Sequence, residues 1–115
     1  MSVRKILALK RAAIQSRIDA VGMRETKLTR RIDALRAQGD GLEAGADDGR
    51  FQAAAMAGST ARSISLHLEH ERDGLREQKQ LLARERLSLD IADTRLETAE
   101  TDEARLLASR AEDKV

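Results

Sequence analysis

Two ladders of aliphatic residues, each with one side chain at every seventh position, lie on either side of a glycine-rich stretch. A seven-residue apolar repeat is typical of helices that wind around each other, so the pattern predicts two long helices packed as a coiled coil. The first ladder consists of Leu7, Ile14, Val21, Leu28, Leu35 and Leu42, and the second of Leu68, Leu75, Leu82, Leu89 and Leu96.

Capping and turn residues indicate where the helices begin and end. Ser2 is a suitable N-cap for a first helix over about residues 3–38, and Gly39 and Gly41 would end it. The acidic, glycine-rich sequence of residues 39–49 predicts a flexible turn. The fold class predicted for residues 1–115 is all-α: an elongated two-helix antiparallel coiled-coil hairpin with a longer second helix.

The second helix is predicted over about residues 50–110, with Asp47 or Asp48 as its N-cap. Gly58-Ser59-Thr60 could break it, because glycine and hydroxyl residues weaken a helix. We prefer a continuous helix.

The coiled-coil seam of the second helix is assigned to two heptad columns. The a column is Ala54, Ala61, Leu68, Leu75, Leu82, Leu89, Leu96 and Glu103, and the d column is Ala57, Ile64, Glu71, Gln78, Glu85, Ala92, Ala99 and Leu106.

A turn near residue 44 sets the predicted register. Val21 then faces Leu68. The ladder of the first helix is its d column, and its a column is Arg4, Arg11, Ile18, Glu25, Ile32 and Gly39. The polar residues Arg11 and Glu25 in this column either fix the alignment of the helices or extend their charged ends to solvent. The second helix overhangs the first beyond about residue 87, where Leu87, Leu89, Ile91, Leu96 and Leu106 keep it amphipathic and offer a candidate binding surface. In this register Arg4 faces Glu85 and Arg11 faces Gln78, which are compatible polar pairs. Glu25 faces Ile64 and Ile18 faces Glu71, which are poor pairs.

Composition agrees with a coiled coil and not with a rounded core. The chain of 115 residues has one aromatic residue, Phe51, and no proline or cysteine, and 36% of its residues are charged. Residues 1–38 hold ten Lys and Arg against three Asp and Glu, whereas residues 51–115 are mildly acidic. This asymmetry favours pairing of the two helices with each other.

Candidate catalytic and ligand-binding chemistry is sparse. His67 and His70 stand three residues apart, but two imidazoles without a third ligand make a weak metal site, so we expect neither a metal nor a cofactor. No nucleophile or phosphate-binding motif is present, which argues against an enzyme. The basic first helix lacks aromatic residues for base stacking, which argues against a nucleic-acid partner. No apolar run approaches the length of a membrane span, and we expect a cytoplasmic protein without membrane insertion.

The N-terminal segment Val3-Arg4-Lys5-Ile6-Leu7-Ala8-Leu9-Lys10-Arg11 resembles the opening of the FliJ and YscO type of proteins from bacterial flagellar and type III export systems. That resemblance implies a stalk whose tip, formed by both chain ends, enters the pore of the export ATPase. The stalk would couple the ATPase to the export gate and escort free chaperones. The implied partner-binding residues are Arg4, Lys5, Leu7, Leu9, Lys10, Arg11, Leu89, Leu96 and Leu106.

An alternative function remains open from the sequence. The unpaired apolar stripe of the second helix also suits a generic coiled-coil adaptor, or a scaffold that forms homo-oligomers through this C-terminal segment.

Overall fold

The computed structural model describes residues 2–44 and 51–113, which form two helices. Helix α1 spans Val3–Ala44 and helix α2 spans Phe51–Asp113. Residues early in α1 contact residues late in α2, as in the pair Arg4 and Asp93, so the helices are antiparallel. The predicted all-α antiparallel hairpin with a longer second helix is confirmed.

The chain divides into two compact units, each of which contains a segment of both helices. Unit 1 comprises Met1–Ile18 and Leu81–Val115, and unit 2 comprises Asp19–Gln80. Every cross-helix ion pair described below lies within one of these units.

The N-terminus of α1 is capped as predicted. The Ser2 hydroxyl oxygen accepts a hydrogen bond from the Lys5 backbone N–H at 3.2 Å, and the Ser2 carbonyl accepts one from the Ile6 N–H at 3.2 Å. These bonds satisfy two of the backbone donors that a helix start leaves free.

The predicted end of α1 is wrong, because the helix runs through Gly39 and Gly41 to Ala44. Gly39 is buried, and a Cβ built on it would lie 3.6 Å from the Gly58 carbonyl oxygen and 3.7 Å from the Ala61 Cβ. This glycine therefore lies where the two helices approach closely, and it does not stop α1. The remainder of the predicted turn, including Asp47 and Asp48, lies outside the described residues.

Helix α2 is continuous through residues 58–60, as the sequence analysis preferred. The Thr60 hydroxyl donates a hydrogen bond to the Met56 carbonyl at 2.9 Å, within the helix. The helix ends at Asp113, three residues after the predicted end.

The seam of α1 follows the predicted heptads. Ile14, Val21 and Ile32 are buried, and Leu7, Leu28, Leu35 and Leu42 are half-buried. Burying a full aliphatic side chain contributes about 1.5–3 kcal/mol, so these buried and half-buried side chains are the main apolar contribution of α1 to the fold.

Only one of the two predicted seam columns of α2 lies in the seam. Ala61, Leu68, Leu75 and Leu82 of the a column are buried, but the d column is largely exposed, with Ile64 41% exposed. The buried residues Gly58 and Ser65 and the half-buried residues Arg72 and Asp93 belong instead to the neighbouring e column. The d column would have placed Glu71, Gln78 and Glu85 in the seam, whereas small residues of the e column allow a close approach.

The predicted register is also wrong. Glu25 contacts Arg76 and not Ile64, which is a shift of twelve residues along α2. In unit 1, Arg4 contacts Asp93 and not Glu85, a shift of eight residues. The predicted register assumed a turn near residue 44, a position that still belongs to α1.

Glu25 explains why the observed register is preferred in unit 2. Its side chain is only 18% exposed and accepts hydrogen bonds from Arg76 Nε at 2.9 Å and from Lys79 Nζ at 3.5 Å. The hydrogen bond from Arg76 is the main cause that lowers the pKa of Glu25, and Lys79 adds to it. In the predicted register this carboxylate would have met an apolar side chain. Arg36 and Glu69 form a second cross-helix ion pair in this unit.

The contact between Glu25 and Arg76 can be tested by exchanging the charges. We expect Glu25→Lys to lower the free energy of unfolding by about 1 kcal/mol, because it replaces an attraction with a repulsion at a partly exposed pair. Adding Arg76→Glu should restore at least half of that loss, as measured by urea denaturation. Adding Arg84→Glu is the matched control, since Arg84 is exposed and forms no ion pair with the described residues. Equal effects of the two second substitutions would contradict the observed register.

Candidate partner-binding site

Unit 1 contains a cluster of charged residues that joins the N-terminal end of α1 to α2. The Arg4 side chain donates from Nε to Asp93 Oδ1 at 3.1 Å and from Nη1 to Glu100 Oε2 at 3.3 Å. A third carboxylate, that of Glu97, lies 3.8 Å from Arg4 Nη2. Arg4 is therefore bound by three acids of α2, whose spacing of three and four residues places them on one helical face.

Asp93 is shared between two arginines. Arg11 Nη2 lies 3.6 Å from Asp93 Oδ2, and Arg11 Nη1 donates to Asp90 Oδ1 at 3.2 Å. The Asp93 side chain is 14% exposed. The hydrogen bond from Arg4 lowers the pKa of Asp93, and the positive charges of both arginines add to this effect.

The six candidate residues predicted near the N-terminus therefore fall into two groups. Arg4 and Arg11 point their charges at α2, and Leu7 is half-buried in the seam. Lys5, Leu9 and Lys10 are exposed, with Leu9 61% exposed, and neither lysine forms an ion pair with any described residue. The second group is the more exposed of the two, and the two lysine charges in it have no ion-pair partner among the described residues.

Two further apolar residues at this end are exposed that the sequence analysis did not select. Val3 and Ile6 lie on the surface of the first two turns of α1, close in sequence to Leu9. They belong to neither the a nor the d column of α1. An apolar residue outside the heptad seam is expected to be exposed, and this was the signal that could have identified them.

The predicted unpaired part of α2 is shorter than expected. Leu89 and Leu96 are half-buried, and contacts to α1 continue to Glu100, so the helix is not free from residue 87. Leu87 and Ile91 are exposed, as predicted for a free face. All of residues 101–113 are helical and exposed, and we call this segment the overhang.

Within the overhang, Leu106 was predicted as a candidate and Leu107 was missed. Leu106 is 61% exposed and Leu107 is 58% exposed. Leu107 lies in the e column, which the sequence had not assigned to the seam. In the structure, e-column residues nearer the N-terminus of α2, such as Gly58 and Ser65, do lie in the seam. The signal that could have identified it is an adjacent pair of leucines in an otherwise polar segment.

Other candidate chemistry is limited in the described part of the chain. His67 Nε2 lies 3.3 Å from the Glu71 carboxylate, and no group of three potential metal ligands occurs among the described residues. A shallow groove in unit 2 is lined by Arg36, Asp40, Arg62, Ser65 and Leu66. Neither described helix contains a stretch that is long and apolar enough to cross a bilayer.

Comparison of the chain with known protein families, curated proteins and solved structures gave no match. The resemblance of the N-terminal segment to the FliJ and YscO type of proteins therefore stays a prediction from the sequence.

The lowered pKa of Asp93 predicts loss of stability in acid. A carboxylate with a lowered folded-state pKa contributes stability that is complete above its unfolded pKa, near 4, and that is lost as the pH falls through the folded value. We expect the melting temperature to fall as the pH drops from about 5 to 3, and Asp93→Asn to reduce this dependence. Circular dichroism melts across this range measure it.

The control for this titration is Asp102→Asn. Asp102 is exposed in the overhang and forms no ion pair with the described residues, so this variant should keep the acid dependence of the unaltered protein. An Asp93→Asn protein with an unchanged pH profile would contradict the assignment of the acid sensitivity to this cluster.

Proposed function

We propose that this chain is a non-enzymatic coiled-coil component of a bacterial flagellar or type III protein export apparatus. In this role it acts as a stalk that binds the export ATPase and couples it to the export gate. The N-terminal sequence pattern motivates the choice of system. The observation that carries the proposal is the arrangement of unit 1, which we call the tip. The N-terminal turns of α1 lie against α2 between Asp93 and Glu100, and α2 continues beyond them as the exposed overhang.

The composition of this tip supports a partner-binding role. Lys5, Leu9 and Lys10 on α1 are exposed, and α2 continues past Glu100, the last of its described residues to form an ion pair with α1. Leucines in such a free segment are not needed to hold the hairpin together, because the seam leucines already do so. Exposed apolar residues that lie close together are typical of a protein-binding surface.

The internal ion pairs reduce the number of residues that are available to bind the ATPase. Arg4 and Arg11 each bind carboxylates of α2, so recruiting them to an ATPase would require breaking those contacts. Lys5 and Lys10 have no such cost. We therefore assign the electrostatic part of ATPase binding to these two lysines, and the apolar part to Leu9 and Leu106.

A second candidate function is that of a generic coiled-coil adaptor or self-assembling scaffold. It is favoured by Leu87 and Ile91, which are exposed on α2 although α1 covers the neighbouring residue Leu89. Four residues apart, they lie on one helical face and could pack against a further helix. The stalk needs no such lateral contact.

The stalk proposal predicts that the protein stimulates ATP hydrolysis by the export ATPase of its own organism. Lys5→Glu combined with Lys10→Glu should reduce this stimulation at least tenfold at a subsaturating concentration, because it reverses two charges at the contact. Glutamate at position 5 lies in the first turn of α1, where it interacts favourably with the helix dipole. Position 10 is exposed and its lysine forms no ion pair with the described residues, so α1 should remain folded. Steady-state ATPase assays measure the effect.

Arg24→Glu combined with Lys27→Glu is the matched control, because it changes the net charge equally. Both residues are exposed and lie in unit 2, and neither forms an ion pair with the described residues. This variant should retain most of the stimulation. Failure of the unaltered protein to bind or stimulate the ATPase would refute the stalk and favour the adaptor.

A further inference from the structure

The overhang carries one face with an unusual order of residues. Glu103, Leu106, Leu107 and Arg110 have the spacing i, i+3, i+4 and i+7, which places them on the same side of a helix. All four are exposed. Neither Glu103 nor Arg110 forms an ion pair with any described residue, so the face has two unpaired charges that flank two unpaired leucines.

This face is complementary to itself when the direction of the helix is reversed. The spacing is symmetric about the midpoint between Leu106 and Leu107, and the acid at one end corresponds to the base at the other. An antiparallel copy would place each leucine against the other leucine and each Glu103 against an Arg110. A parallel copy would instead bring like charges together.

We propose that the overhang is a homodimerisation site at which the overhang of a second copy of this chain docks antiparallel. Each kind of contact occurs twice in the dimer, once from each copy, as in any two-fold symmetric interface. The contact closes on itself, so assembly stops at the dimer. Two leucine pairs are excluded from water and two Glu–Arg pairs form across the interface.

Charge complementarity selects a second copy over α1 as the occupant. Among the described residues, the last ion pair along α2 that reaches α1 is that of Glu100 with Arg4, and the exposed overhang begins at the next residue. The basic residue required opposite Glu103 is present in the overhang itself, at the matching distance from the leucines. No additional partner is needed to satisfy the four residues of the face.

The expected dimer is weak. Each copy contributes two leucines over two helical turns, which is far less area than a stable protein interface buries. We therefore expect a dissociation constant on the order of 100 μM, with association that is reversible and depends on salt.

This inference does not rest on the proposed function, although both use Leu106. A dimer would cover this leucine, so dimerisation and binding of a larger partner through the overhang would exclude each other. The experiment below contains no ATPase, and its failure would leave the stalk proposal unaffected.

Analytical ultracentrifugation of the full chain from about 10 μM to 1 mM tests the proposal. The unaltered protein should shift from monomer to dimer across this range. Glu103→Arg makes both flanking charges basic, and Arg110→Glu makes both acidic. The dissociation constant of the dimer should therefore rise by roughly tenfold or more for each variant alone. An equimolar mixture of the two should dimerise again, as should the doubly substituted chain in which the charges are exchanged.

Two controls lie elsewhere on the overhang. Glu112 is nine residues, or two and a half turns, from Glu103 and therefore lies on the opposite side of the helix, and Arg105 is also outside the face. Glu112→Arg and Arg105→Glu should dimerise as the unaltered protein does. A chain that stays monomeric at 1 mM, single variants that dimerise as strongly as the unaltered protein, or a mixture no better than its components would each overturn the proposal.

Discussion

The register of the two helices depends on which residues of α2 supply opposite charges to three charged residues of α1. Arg4, Arg11 and Glu25 occupy a positions, which the heptad repeat assigns to the seam. A seam made of leucines alone permits several registers, because a slide by one heptad brings leucine against leucine again. A charge in the seam removes this freedom, since only registers that supply a counter-charge avoid an unpaired, partly desolvated group. In both units, the observed contacts satisfy this condition.

The same requirement explains why α2 is rotated about its own axis relative to the prediction, with the e column and not the d column in the seam. Its a column supplies the apolar contacts, while the counter-charges for α1 come from neighbouring columns that include Lys79, Asp90 and Asp93. Turning α2 toward these columns exposes Glu71 and Glu85, which have no basic seam residue to meet. The small residues Gly58 and Ser65 then enter the seam, where Gly39 of α1 lies close to Gly58. Apolar burial and charge pairing are thus optimised together by using columns a and e and the adjacent b column, which contains Arg76 and Asp90.

Much of the fold was accessible from the sequence, because periodicity is a local property of each helix. The ladder from Leu7 to Leu42 predicted which face of α1 is covered, and Ser2 predicted where the helix begins. The register was not accessible in the same way, since it depends on pairs of residues from both helices and on the end of α1. Gly39 and Gly41 are ordinary signals for a helix end, but a glycine at a helix crossing has the same appearance in a sequence. The candidate site was affected by the same limit. The family resemblance selected Arg4 and Arg11 as partner-binding residues, but in the structure both are bound by acids of α2 that the predicted register did not place beside them.

The change in character of α2 after Leu96 accounts for the division between paired helix and overhang. The a column, which supplies an aliphatic residue at each seventh position up to Leu96, continues with Glu103, so the helix no longer presents the ladder that α1 would require. Leu106 and Leu107 lie on either side of the face that Glu103 and Arg110 share, and they therefore form a short apolar surface of their own. Such a surface is too small to hold a long helix but large enough for a reversible contact. The strong seam thus fixes the hairpin, whereas the overhang, which contributes little to folding, is the part of the described chain whose sequence could respond to selection for a partner.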